Sequence, residues 1–155
     1  MLSFVKWLYL MALIVWVGEL VFFSFVGAPS LFRTFPPAEA GRAVGAIFPI
    51  YYSIGYVCGI ILIIASLVFL GSAAARTWWS VNSFLAAVML AATLYAGLAV
   101  LPRATALRPQ IHEATAAPEI KAEFKRLHHL AVRLNVLVLV CGIGVSVITA
   151  VRLRP

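Results

Sequence analysis

The sequence predicts an all-α fold: a four-helix transmembrane bundle with a long polar loop between helices three and four. Three observations predict it. The 155 residues are 64% apolar and only 11% charged, whereas a soluble domain carries about 25% charged and about 45–50% apolar residues. The apolar residues gather into four runs, each near the roughly 20 residues that a helix needs to cross a bilayer. The basic excess, 12 Lys and Arg against 5 Asp and Glu, lies between and beside those runs. That is the placement of interface anchors and cytoplasmic loops rather than of a nucleic-acid face. A single integral membrane domain over residues 1–155 follows, with the lipid bilayer as partner and no nucleic acid.

The first span covers about 4–26. It imitates a signal peptide, with Lys6, an apolar stretch and the small pair Gly27-Ala28. The stretch is longer than a signal's apolar core and Pro29 would follow the cleavage point, so the span is read as retained. Gly27 to Ala43, with Pro29, Pro36, Pro37, Arg33 and Arg42, reads as a loop with room for a short interfacial helix. The second span, about 44–70, holds Pro49 near its start, where the early N–H groups lack helical partners anyway. Gly55 and Gly59 follow at the spacing of small-xxx-small packing. The short turn Gly71–Thr77 makes spans two and three antiparallel neighbours, and Trp78 and Trp79 mark the interface where span three, about 78–100, begins.

The segment 101–127 is the sizeable polar one, with Arg103, Arg108, Glu113, Glu119, Lys121, Glu123, Lys125 and Arg126. Pro118-Glu119 within it reads as a helix start, proline first and acid in the first turn. No breaker follows before about Arg152, so the fourth span, about 129–151, is the apolar part of a longer helix. At 1.5 Å per residue that helix outruns the hydrocarbon core, and about its first ten residues protrude or lie at the interface. Arg33, Arg42, Arg103, Arg108, Lys121, Lys125 and Arg126 lie on the side of loops one and three, against Lys6, Arg76, Arg152 and Arg154 on the other. Seven against four places those two loops in the cytoplasm and both termini outside it.

One carboxylate, Glu19, stands in the middle of the first span. A charge at the centre of a bilayer costs roughly 2.5–3.5 kcal/mol even on the lenient insertion scales. Glu19 should therefore face the bundle interior, a partner or water. Depth brings further polar groups toward it: Tyr51 and Tyr52 near the start of span two, His128 near the interface and Asn135 about two turns deeper in helix four. On that helix Phe124, His128, Ala131, Asn135, Gly142, Ser146 and Thr149 share a stripe about 60° wide. In lipid such a stripe points to protein, either for helix packing or as the wall of a site. Arg133 either pairs with Glu19 or snorkels to the headgroups. Asn82 shares a stripe with Ala86, Met89, Thr93 and Gly97 and reads as packing near the opposite face.

Several chemistries find little here. Cys58 and Cys141 lie inside apolar runs and form no exported disulfide framework. With Met11 and Met89 they would suit copper(I), although Cys and Met also serve as plain apolar packing. His112, His128 and His129 sit in or beside the third loop, and spans one to three lack the facing histidine that a bis-histidine haem needs. No zinc spacing, phosphate-cradling glycine loop or nucleophile–base pair occurs. The expectation is no enzyme, no cofactor and no metal centre.

Three blocks resemble the transmembrane protein 205-like family: W-V-G-E-L-V-F-F-S-F-V-G-A-P-S-L-F (16–32), A-G-R-A-V-G-A-I-F-P-I-Y-Y (40–52) and F-K-R-L-H-H-L-A-V-R-L-N (124–135). The resemblance implies a four-helix membrane protein. The bacterial members are of unknown function, and the animal members are associated with resistance to platinum drugs, which suggests handling of metals or small solutes. Trp16, Gly18, Pro29, Phe32, Gly41, Phe48, Pro49, Tyr52, His128 and Asn135 carry over by position. A more distant likeness, through a W-x-G first helix, is to small four-helix haem proteins of the protoporphyrinogen oxidase type and to copper-resistance membrane domains. This chain departs from the haem group by lacking a histidine in helix one.

The expected function is to bind or move a small solute or metal ion at a bacterial inner membrane. Trp16, Glu19, Tyr52, His128 and Asn135 are the expected binding residues. Four helices leave little room for a pore, so movement would favour a homodimer or a membrane partner protein. Two rivals are a redox protein binding haem or quinone and an assembly or scaffold subunit with no ligand.

Overall fold

The computed structural model describes residues 2–70, 76–111 and 117–152. Nearly all of them are helical, and no strand occurs among them. Four long helices result: α1 Leu2–Thr34, α2 Pro37–Phe69, α3 Thr77–Ile111 and α4 Pro118–Val151. Each packs against the next, and α4 also touches α1. Residues 71–75 of the expected turn, 112–116 with His112 and Glu113, and Arg154 lie outside the described residues.

The helices are longer than the apolar runs that announced them. The expected loop 27–43 is helical except at Phe35 and Pro36, both extended, with φ −115° and ψ 154° at Phe35 and φ −54° and ψ 148° at Pro36. The physical reason is the Pro36-Pro37 pair, because a residue before proline is pushed out of the α region. Likewise the described part of the expected polar loop is helix, through Ile111 on one side and from Pro118 on the other. A change from apolar to polar residues marks the membrane surface but does not stop a helix. The start at Pro118 with Glu119 in its first turn, and the unbroken run to Arg152, agree with the sequence.

Two prolines pass through α1 and α3 without ending them. Phe23–Gly27 and Ala96–Val100 are π-helical turns, in which the Ala28 N–H bonds the Phe23 carbonyl and the Leu101 N–H bonds the Ala96 carbonyl. Pro29 and Pro102 come directly after those donors. Proline has no N–H to give, and its ring presses on the carbonyl four residues back. One wider turn displaces that carbonyl, and the helix continues.

The interior holds Tyr9, Trp16, Leu62, Met89 and Val145, each at most 2% exposed. The outer faces are equally apolar, with Phe22, Ile50, Phe84 and Leu98 all more than 60% exposed. Such a surface is incompatible with water and natural in lipid tails. Gly55 and Gly59 do permit close approach, and what approaches is side chain. A β-carbon at Gly55 would meet Trp16 Nε1 at 3.0 Å and Thr93 Cγ2 at 2.9 Å; one at Gly59 would meet Leu90 Cδ1 at 2.9 Å and Trp16 Cη2 at 3.0 Å. Trp79 departs from its expected interfacial role: it is buried against Phe69 and Tyr9, while Trp78 is exposed.

Candidate functional site

Register fixes the depth of each polar group. In α4 the apolar stretch after Arg133 is centred near Gly142, whose added β-carbon would meet Val17 Cγ2 at 3.1 Å and Met89 Cε at 3.2 Å. Val17 therefore marks the middle of the apolar slab on α1. Glu19, two residues on, lies about 3 Å from that level toward the side of loops one and three. On α2, Trp16 rests on Gly55 and Gly59 while Phe23 packs on Phe48 and Tyr51. The antiparallel register puts Glu19 level with Gly55, between Tyr51 and Cys58 on the same seam. Glu19 Oε2 is buried with no hydrogen-bond partner.

Beside the carboxylate, three helices are tied by a polar chain. Tyr51 Oη donates to Asn135 Oδ1 at 2.6 Å, and Asn135 Nδ2 donates to Ser24 Oγ at 2.8 Å. Ser24 is carried by the π turn of α1. The π turn of α3 lies at the same end of the molecule, and its Gly97 receives the rings of Tyr52 and Tyr56 on its bare face. Tyr52 also stacks on Phe48 at 5.7 Å between centroids. Trp16, Tyr51, Tyr52, Thr93 and Asn135 line one crevice. Its free volume is about 10 Å³, below the roughly 30 Å³ share of one water in the liquid. The crevice is closed in this structure.

Trp16, Tyr52 and Asn135 of the expected site thus share one crevice, and Glu19 lies at its edge on the α1–α2 seam. His128 is not among them. It is exposed near the polar end of α4, its ring 6.1 Å from that of His129. Arg133 is exposed too, and no ion pair to Glu19 occurs among the described residues. Among those residues no group of three or more His, Cys, Asp and Glu side chains converges. Cys58 and Cys141 are buried and unbonded to each other. Met89 packs on Gly142, and Met11 points outward.

A second polar cluster occupies the opposite half of the slab. Asn82 Nδ2 donates to Tyr9 Oη at 3.0 Å and reaches Thr149 Oγ1 at 3.4 Å, while Tyr9 Oη and Thr149 Oγ1 are hydrogen-bonded at 2.8 Å, either hydroxyl able to donate. All three are buried, and Asn82 Oδ1 has no partner. The sequence reading passed over Tyr9 and treated Asn82 as packing alone. A usable signal existed: Tyr9, Leu13, Trp16 and Leu20 recur at helical spacing, which places Tyr9 on the inward face that carries Trp16. Thr93 lies on the stripe that reads as packing, while Ser24, a short polar residue among apolar ones, gave no comparable signal.

Four long apolar helices with lipid-compatible outer faces and polar clusters in their interior define a multi-pass integral membrane protein in contact with lipid. Residues 11–113 match the family described as a domain of unknown function, DUF4149. The match spans well over half the chain, which belongs to that family. It includes the first two blocks of the 205-like resemblance and stops short of the third. No curated protein and no solved structure matches the chain.

Proposed function

We propose that the protein binds a small solute within the membrane, at Glu19 and the adjoining crevice of Trp16, Tyr52 and Asn135. The observation that carries this reading is the buried, unpartnered Oε2 of Glu19 near mid-slab. A polar atom left unsatisfied in an apolar interior is costly, and intramembrane acids are characteristic of substrate paths. Of the two cargoes suggested by the sequence, a solute fits better than a metal ion. A metal needs several convergent ligands, and no group of three or more His, Cys, Asp and Glu side chains converges among the described residues. His128 serves as an outer contact at the headgroup end of the Asn135 stripe.

The closed crevice supports binding coupled to helix movement rather than an open pore. Movement of the solute across the membrane would then involve a second copy or a partner protein. The reading takes the four helices as one bundle and one domain in a bacterial inner membrane, of the transmembrane protein 205-like type, acting without catalysis. Native mass spectrometry of the protein in lipid nanodiscs tests it. The wild type should carry a small-molecule adduct that falls at least tenfold in Glu19→Gln. Identical adduct patterns in the two proteins, or no adduct in either, would leave the scaffold rival standing; a Soret band would favour the haem one.

A further inference from the structure

We propose that a lipophilic organic cation is the solute class, and that it reaches Glu19 sideways from the bilayer through a groove between α1 and α2. This rests on the reading of Glu19 as a binding group. The groove has a volume of about 540 Å³ and is lined by Val15, Pro49, Ile50, Ser53, Val57 and Cys58 among others. That size suits a drug-sized molecule, for which pockets run from about 300 to about 1,000 Å³. Its mouth faces the lipid, with Val15, Ile50 and Val57 49%, 66% and 58% exposed.

The chemistry of the lining selects the occupant. The hydroxyl of Ser53 donates to the Pro49 carbonyl at 2.8 Å, so the wall is otherwise apolar. An apolar wall alone retains nothing in a membrane, because lipid tails are as apolar as leucine and a neutral greasy molecule gains little by leaving them. Charge is what distinguishes the groove from lipid. Glu19 lies on the same seam, one helical turn beyond Val15 of the groove wall. Arg133 stays exposed, which leaves the carboxylate without a counter-ion among the described residues. In a low dielectric an opposite charge is held strongly and a like charge is rejected. A cation whose charge is spread over apolar groups fits both features.

Equilibrium dialysis of tetraphenylphosphonium against protein in nanodiscs, with protein-free nanodiscs as the blank, tests the proposal. Triphenylphosphine oxide serves as the neutral analogue. Saturable binding of the cation, at least tenfold weaker in Glu19→Gln and in Val57→Trp, and weak binding of the oxide, is the expected result. Val57 faces lipid, so the tryptophan fills the groove without entering the core. Equal binding of cation and oxide, both indifferent to Glu19→Gln, would overturn the cation class. Cation binding untouched by Val57→Trp would overturn the lateral route. Absence of saturable cation binding, alongside a Glu19-dependent adduct of another kind in mass spectra, would sink this proposal and spare the binding site.

Discussion

At the residue scale, two kinds of contact hold the interior, and their magnitudes differ. The hydrogen bonds of Asn82 to Tyr9 and Thr149 bridge three helices, yet such bonds in membrane proteins average only about 0.6 kcal/mol. Asn82 also buries an unpaired Oδ1, a penalty of about 1–3 kcal/mol that an apolar residue would remove. The terms nearly cancel, so Asn82→Leu should change stability by less than about 1 kcal/mol. Gly59→Leu instead drives a side chain into Trp16 and Leu90, which lie 3.0 and 2.9 Å from its would-be β-carbon. Overpacking of this kind costs about 1–3 kcal/mol. Unfolding in mixed micelles should rank Gly59→Leu well below Asn82→Leu; the reverse order would mean that polar contacts, not close packing, dominate this core.

At the element scale, proline and the π turn act as a pair. Pro102 lacks the N–H that would bond Leu98, and the wider turn at Ala96–Val100 absorbs the misfit. Relaxing one π turn to α shifts everything beyond it by one residue, about 100° around the axis. In the native arrangement the half-buried Arg108 guanidinium rests on the bare face of Gly45. Pro102→Ala should release the π turn and swing position 108 away from α2. Maleimide labelling of Arg108→Cys, with Cys58 and Cys141 replaced by alanine, should then rise several-fold; unchanged labelling would sever the link between the proline and the turn. This device explains what was legible in the sequence and what was not. Hydrophobic length gave four helices and their order, because lipid enforces it. The helix ends were hidden, since Pro29 reads as part of a loop when a wider turn accommodates it, as another accommodates Pro102. Among the described residues the Pro36-Pro37 pair interrupts the helix, because two successive residues are driven out of the α region there. For the site, helical spacing and depth led to Glu19, Tyr51, Tyr52, Asn135 and the exposed His128, and the family resemblance led to Trp16. The bond from Asn135 to Ser24 was illegible, because a π turn changes the phase of every residue after it.

For the whole molecule, the basic residues set the orientation. Seven lysines and arginines on the side of loops one and three, against four on the other, predict that side in the cytoplasm. Impermeant maleimide applied to intact cells should label Thr77→Cys and not Lys125→Cys, both exposed positions, in the same cysteine-free background. The opposite pattern would invert the topology. The two-residue joint at Phe35 and Pro36 then has a mechanical meaning. It rivets the loop-one ends of α1 and α2 like the pivot of a pair of tongs, so their arms part most easily toward the far face. On the proposed binding reading, a guest squeezed between those arms would be gripped tightest at the pivot and freed at the tips.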